Sequence, residues 1–104
     1  MRPPYGFQRA TTFVTARALG LRVIHWSVSG DDWRCDPPDV VAKRVVDATQ
    51  PGHVVLLHDG QPATTAALPE ILETLSHRGY GFVTVPELLA LPHVATKPWL
   101  IAHP

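Results

Sequence analysis

The chain has 104 residues, 45% of them hydrophobic and 17% charged, with nine basic side chains balanced by nine acidic ones. That length holds one domain at most, and the composition is too apolar for a disordered chain. A formal charge of zero argues against a nucleic-acid partner, which needs a basic face, and no stretch approaches the ~18 apolar residues of a membrane span.

The chain opens with Met1-Arg2-Pro3-Pro4-Tyr5-Gly6, which has no apolar h-region, so no signal peptide is visible. A first helix is expected from about Arg9 to Leu19, with Phe13, Val14, Ala16 and Leu19 as its apolar side. Gly20 ends it, and the apolar run Leu21–Val28 reads as a strand. Asp36-Pro37-Pro38 marks the start of a second helix reaching about Thr49, closed by Gln50-Pro51-Gly52. His53–Leu57 is the second expected strand. A third helix is expected from a Thr65 cap, with Leu68, Ile71, Leu72 and Leu75 as its apolar stripe and Gly79 as its stop after Arg78. Gly81–Val85 reads as a third strand, and a short helix follows Pro86, at Glu87–Ala90. The tail from Leu91, with Pro92, Pro98 and Pro104, reads as irregular, Trp99, Leu100 and Ile101 docking on apolar surface.

Gly20, Gly52 and Gly79 lie 32 and 27 residues apart, close to the ~30 residues of a βαβ repeat. Helices alternating with short, near-continuously apolar strands predict an α/β fold around a parallel sheet, open or closed into a barrel. The domain is placed at residues 1–91 and the tail at 92–104. The expected core is Phe13, Leu19, Val23, Leu68, Ile71, Leu72, Leu75, Phe82 and Val83. Arg9, Arg17, Lys43, Arg44 and Arg78 read as solvated helix faces. The single Cys35 excludes an intrachain disulfide and a cysteine-based zinc site, and reads as inert.

In parallel α/β folds, sites form beyond the carboxyl ends of the strands. Here those ends carry Ser29-Gly30-Asp31-Asp32-Trp33 and His58-Asp59-Gly60, while Arg2-Pro3-Pro4-Tyr5-Gly6 precedes the first helix. One rim would then hold a cation, carboxylates, an imidazole and a Trp. A carboxylate beside an imidazole suits a general acid. Asp31 and Asp32 next to Gly30 are equally readable as turn chemistry.

Four segments, in order, resemble the later motifs of the polysaccharide deacetylases, the NodB homology domain of carbohydrate esterase family 4. Arg2-Pro3-Pro4-Tyr5-Gly6 resembles the third motif, R-P-P-Y-G. His25-Trp26-Ser27-Val28-Ser29-Gly30-Asp31-Asp32-Trp33 resembles the fourth, W-S-V-D-x-x-D-W, with Ser29 in place of its first Asp. Val54-Val55-Leu56-Leu57-His58-Asp59 resembles the fifth, I-V-L-L-H-D. Gly79-Tyr80-Gly81-Phe82-Val83-Thr84-Val85-Pro86-Glu87-Leu88 is similar to the ending G-Y-x-F-V-T-V-P-E-L.

The resemblance implies the C-terminal part of a distorted (β/α) barrel, about three strands alternating with helices. It implies metal-dependent hydrolysis of acetyl groups on acetylated oligo- or polysaccharides, the metal being zinc or cobalt. In that chemistry a metal-activated water attacks the acetyl carbonyl, an Asp is the base and a His protonates the leaving amine. Carried over, His58 is the general acid and Asp32 tunes its pKa. Arg2 orients the base, the Tyr5 N–H helps bind the oxyanion, Leu56 lines the acetyl pocket, and Trp33 and Trp26 wall the site. Family members commonly act outside the cytoplasm or at the cell envelope.

Two family motifs are missing from the 104 residues: T-F-D-D, which holds the base and one metal ligand, and H-S/T-x-x-H, which supplies two metal histidines. His25, His53, His58, His77, His93 and His103 include no i, i+3 or i, i+4 pair to replace them. The chain is therefore expected to lack the metal site and to be inactive alone, with a missing N-terminal half as a possible partner. Isolated, it is expected to fold marginally or self-associate, because a closed barrel takes roughly 200 residues or more. The alternative reading is a non-catalytic remnant that binds sugars or a partner protein through the same rim.

Overall fold

The computed structural model describes residues 1–3 and 9–91, together with a strand at 101–102. Along the chain these form α1 (Ala10–Ala18), β1 (Val23–Ile24), β2 (Val28–Ser29), a 3₁₀ turn (Asp32–Arg34), α2 (Pro38–Ala48), β3 (Val55–Leu56), α3 (Pro62–His77), α4 (Val85–Leu89) and β4 (Ile101–Ala102). Helices and short strands alternate as expected, around an open and incomplete sheet. Among the described residues, no helix is long and apolar enough to cross a membrane.

The run Leu21–Val28 is not one strand. Its first half pairs antiparallel with β4, Val23 opposite Ala102, and its second half pairs parallel with β3, Val28 opposite Val55. The break falls where the Ser27 and Val28 N–H groups both donate to the Val54 carbonyl, the pattern of a bulge. The Ser27 hydroxyl then accepts from the Val54 N–H at 2.7 Å, a side chain standing in for the ladder. On the other side of β1, Met1 donates to the Arg22 carbonyl and accepts from the Ile24 N–H, bracketing Val23 in parallel fashion. The tail expected to be irregular thus contributes Ile101 and Ala102 to the sheet, where they satisfy backbone groups along β1. Residues 92–100 and 103–104 of that tail lie outside the described set.

The main core lies between α2 and α3. Val41, Ala42, Val45 and Val46 form one stripe on α2 and bury against Ala67, Ile71 and Leu75 of α3. Val55, Leu57, Ala63 and Tyr80 pack around them. Each large apolar side chain buried this way contributes about 1.5–3 kcal/mol. Two long-range bonds tie the helix ends together: Tyr80 Oη donates to the Thr49 carbonyl and Arg78 to the Val46 carbonyl. Arg78 is therefore a bridge between helices rather than a purely solvated face.

Several core expectations change. Val23, Ile71 and Leu75 are buried and Phe13 is half-buried, but Leu19, Leu68, Leu72, Phe82 and Val83 are exposed. On α3 the buried line is Thr64, Ala67, Ile71 and Leu75, which leaves Leu68 and Leu72 on its flank. The helix also starts earlier than the Thr65 cap implied, because Gln61-Pro62 supplies a proline at the first helical position. It ends as expected. Gly79 has φ +87°, and the Tyr80 and Gly79 N–H groups donate back to the Leu75 and Ser76 carbonyls, a Schellman closure.

Residues 81–84 form no strand. The segment runs extended into α4, which starts at Val85 rather than after Pro86 because Thr84 caps it: its hydroxyl accepts from the Glu87 N–H, and Glu87 accepts from the Thr84 N–H. With no ladder partner among the described residues, Phe82 and Val83 stay exposed.

Candidate functional site

The polar cluster stands beyond the carboxyl ends of the parallel pair β2 and β3, where sites of this fold class form. After β2 the chain turns sharply. Gly30 is buried, and an added Cβ would lie 2.5 Å from Leu57 Cδ2, so a larger residue there would force the Leu57 side chain to shift. Its N–H donates to the Leu56 carbonyl, and its carbonyl accepts from Arg44, whose guanidinium also pairs with Asp36 at 2.8 Å. Arg44, expected on a solvated face, is half-buried and clamps this turn to α2.

Asp31 and Asp32 then separate in role. Asp31 takes a left-handed conformation, φ +46°, which Asp tolerates, and accepts from the Ser29 hydroxyl at 2.8 Å. It is turn chemistry, and Ser29 serves the same turn. Asp32 points inward and is 0% exposed.

The buried carboxylate has three donors. The His58 N–H donates to Oδ2 at 2.7 Å, the His58 ring meets Oδ1 through Nδ1 at 2.8 Å, and the Thr64 hydroxyl donates to Oδ2. Burial alone would push the Asp32 carboxyl up. The bonds from Thr64 and from the His58 ring and backbone outweigh it and hold the carboxyl below its ordinary 3.8. Ionised Asp32 can only accept, so Nδ1 carries the hydrogen, and the 43%-exposed imidazole keeps Nε2 for another partner. Leu56 is two residues before His58, opposite Ser29 in the ladder, and half-buried.

Other expected site residues stand apart from this pair. Arg2 donates to the His25 carbonyl at 3.4 Å and lies over the Trp26 ring, 5.9 Å from its centroid. Trp26 packs on the small cluster of Ile24 and Val54. Trp33 is 56% exposed, with the Arg34 guanidinium over its ring. Among the described residues, none of these three is hydrogen-bonded to or stacked on Asp32 or His58. A cavity of about 640 Å³ opens between β1 and α4, lined by Arg2, Arg22, Ile24, Val85 and Leu89 among others, away from His58. Tyr5 lies outside the described residues.

Thr64 and Arg44 are the functional neighbours that the sequence pattern did not single out. The usable signal for Thr64 was Pro62, which sets the helix start and puts Thr64 in its first turn.

Among the described residues, the divalent metal that the family resemblance implies finds no centre. No three His, Cys, Asp or Glu side chains among them gather as ligands. Both oxygens of Asp32 and the Nδ1 of His58 are already engaged with each other and with Thr64. These residues do not fit the metal.

No protein-family model matches the chain. Individual relatives do. The peptidoglycan-N-acetylglucosamine deacetylase of Listeria monocytogenes is 41% identical over 88 residues, 85% of this chain and 18% of that protein. The corresponding deacetylase of Bacillus cereus is 40% identical over 97 residues, 88% of this chain and 46% of that protein. Among solved structures, a family 4 pseudoenzyme from Bacillus anthracis superposes with a TM-score of 0.79 at 34% identity, over 85% of this chain and 31% of the other.

The chain is strongly homologous to the polysaccharide deacetylases of carbohydrate esterase family 4.

It shares that family's polysaccharide deacetylase fold with the family 4 esterase of Streptomyces lividans, solved with acetate, at TM-score 0.71 and 34% identity. It spans less than half the length of each of these relatives.

Proposed function

We propose that this chain carries the proton-donating side of a deacetylase site for acetylated amino sugars, and that these 104 residues do not complete hydrolysis alone. The observation that carries the reading is the Asp32–His58 pair: a wholly buried carboxylate holding the Nδ1 edge of a half-exposed imidazole. In such an arrangement His58 protonates the leaving amine from Nε2, while Asp32 fixes the ring. Leu56 lines the acetyl pocket and Trp33 offers a flat apolar wall to a sugar ring. Arg2, carried on Trp26, orients the base, and the Tyr5 N–H contributes to the oxyanion site. The base and metal motifs are not among the 104 residues, and the described side chains form no substitute centre.

The test is acetate release from N-acetylglucosamine oligomers by the purified chain, with and without added Zn²⁺ or Co²⁺. No release above buffer is expected under either condition. Robust metal-dependent turnover would overturn the reading.

A second reading is favoured by one finding, the resemblance to a solved family 4 pseudoenzyme. In that reading the rim binds sugars or a partner protein without chemistry. Calorimetric titration with the same oligomers separates the two: millimolar or tighter binding, unchanged by metal, favours the binding module.

A further inference from the structure

Neither the motif pattern nor the proton-donating role assigned to His58 makes use of Thr64. We propose that Thr64 is a positioning residue for His58, acting through Asp32: its hydroxyl fixes the carboxylate so that Oδ1 faces the His58 Nδ1–H and Nε2 is the ring nitrogen turned away. The proposal rests on reading His58 as the proton donor.

The terminal torsion of an Asp side chain is broad, with two nearly equivalent orientations, so the donors around the carboxylate decide where its oxygens point. Oδ1 has only the imidazole, itself a half-exposed group. Oδ2 has two donors, the His58 backbone N–H and the Thr64 hydroxyl. The backbone bond alone ties Asp32 to the same residue it must orient, so it offers no independent reference. Thr64 does. It is β-branched, which restricts its χ1, and sits in the first turn of α3, whose next turns bury Ala67, Ile71 and Leu75 against α2. The helix core thereby sets the direction of the hydroxyl, the hydroxyl sets the carboxylate, and the carboxylate sets the imidazole. Thr64 is buried, so its removal leaves Oδ2 one donor short in a place poorly served by solvent.

The experiment reads the ring ¹⁵N chemical shifts of His58 by NMR in the full chain, above the titration range of imidazole. The native ring is expected to hold its hydrogen on Nδ1. In Thr64→Val the ratio of the Nδ1–H to the Nε2–H form is expected to fall by about tenfold, as for loss of one hydrogen bond. Thr64→Ser, which keeps the donor, should retain the native ratio. A native ratio in Thr64→Val, or a fall in Thr64→Ser as large as in Thr64→Val, would overturn the proposal. Should Thr64→Val not fold, the native chain decides. A solvent-protected Thr64 hydroxyl proton with a through-space contact to the Asp32 β-protons supports the role, and a hydroxyl in fast exchange refutes it. Both readouts are independent of turnover, so a failure of the deacetylase reading shows in acetate release and a failure of the Thr64 role shows in the ring.

Discussion

Around α2 and α3, seven side chains from two helices are buried against one another, and the residues that hold His58 hang from that core. Around β1 and α4, the buried cluster among the described residues holds just Ile24 and Val54, with Trp26, Val85, Leu88 and Leu89 half-covering them beside an open cavity. The motif residues divide between these regions. Asp32, His58 and Leu56 stand on the deep side; Arg2 and Trp26 stand on the shallow one, held by a long hydrogen bond and a ring contact. The difference teaches that one side of the site is organised by packing within this chain, whereas the other has little beneath it to fix its geometry.

The largest effect should come from the two cores themselves. Ile71→Ala is expected to cost about 3 kcal/mol, and Ile24→Ala, in the thinner cluster, about 1–2 kcal/mol, read as urea midpoints at constant slope. Equal losses would break the contrast between the regions. Next comes Asp32→Asn, expected to cost about 2 kcal/mol, since it weakens charge-assisted bonds from Thr64 and His58 inside a buried site. Its pH signature has a definite sign. Asp32 is held below its ordinary 3.8, so its stabilisation is full above that value and is lost as pH falls through the lower folded value. Acid titration of stability should therefore be shallower in Asp32→Asn than in the native chain; identical profiles would count against the hydrogen-bonded carboxylate.

Smaller effects sharpen the comparison. Arg44→Met removes a half-exposed ion pair and the bond to the Gly30 carbonyl, for about 1 kcal/mol after solvent screening. Arg2→Ala, on the shallow side, should change stability by no more than about 0.5 kcal/mol. A larger loss for Arg2 than for Arg44 in thermal melts would reverse the assignment of firm and loose sides.

Much of this was legible in the sequence, and the failures have physical causes. The helix boundaries followed from Pro38, Gly20 and Gly79, because proline and glycine act through backbone geometry that tertiary context rarely overrides. The pairing of Asp32 with His58 was implied by the family resemblance, whereas strand-end position alone left Asp31 and Asp32 equally readable as turn chemistry. The split of Leu21–Val28 was not legible: no glycine or proline interrupts the run, and the break comes from the Ser27 hydroxyl entering the ladder. Leu68 and Leu72 were misplaced because a four-residue stripe admits two helix faces, and only the partner helix chooses between them. Arg44 looked solvated because its two acceptors, the Asp36 carboxylate and the Gly30 carbonyl, are assembled only when the turn folds over α2.

Amide hydrogen exchange in the native chain tests the contrast most directly, by comparing the His58 and Gly30 amides, which donate to Asp32 and Leu56, with the Ile24 amide, which donates to Met1. The first two are expected to exchange at least about tenfold more slowly, near the rate set by global unfolding, with Ile24 opening locally. An Ile24 amide as protected as that of His58, or more so, would contradict the claim that the deep core alone organises the candidate site.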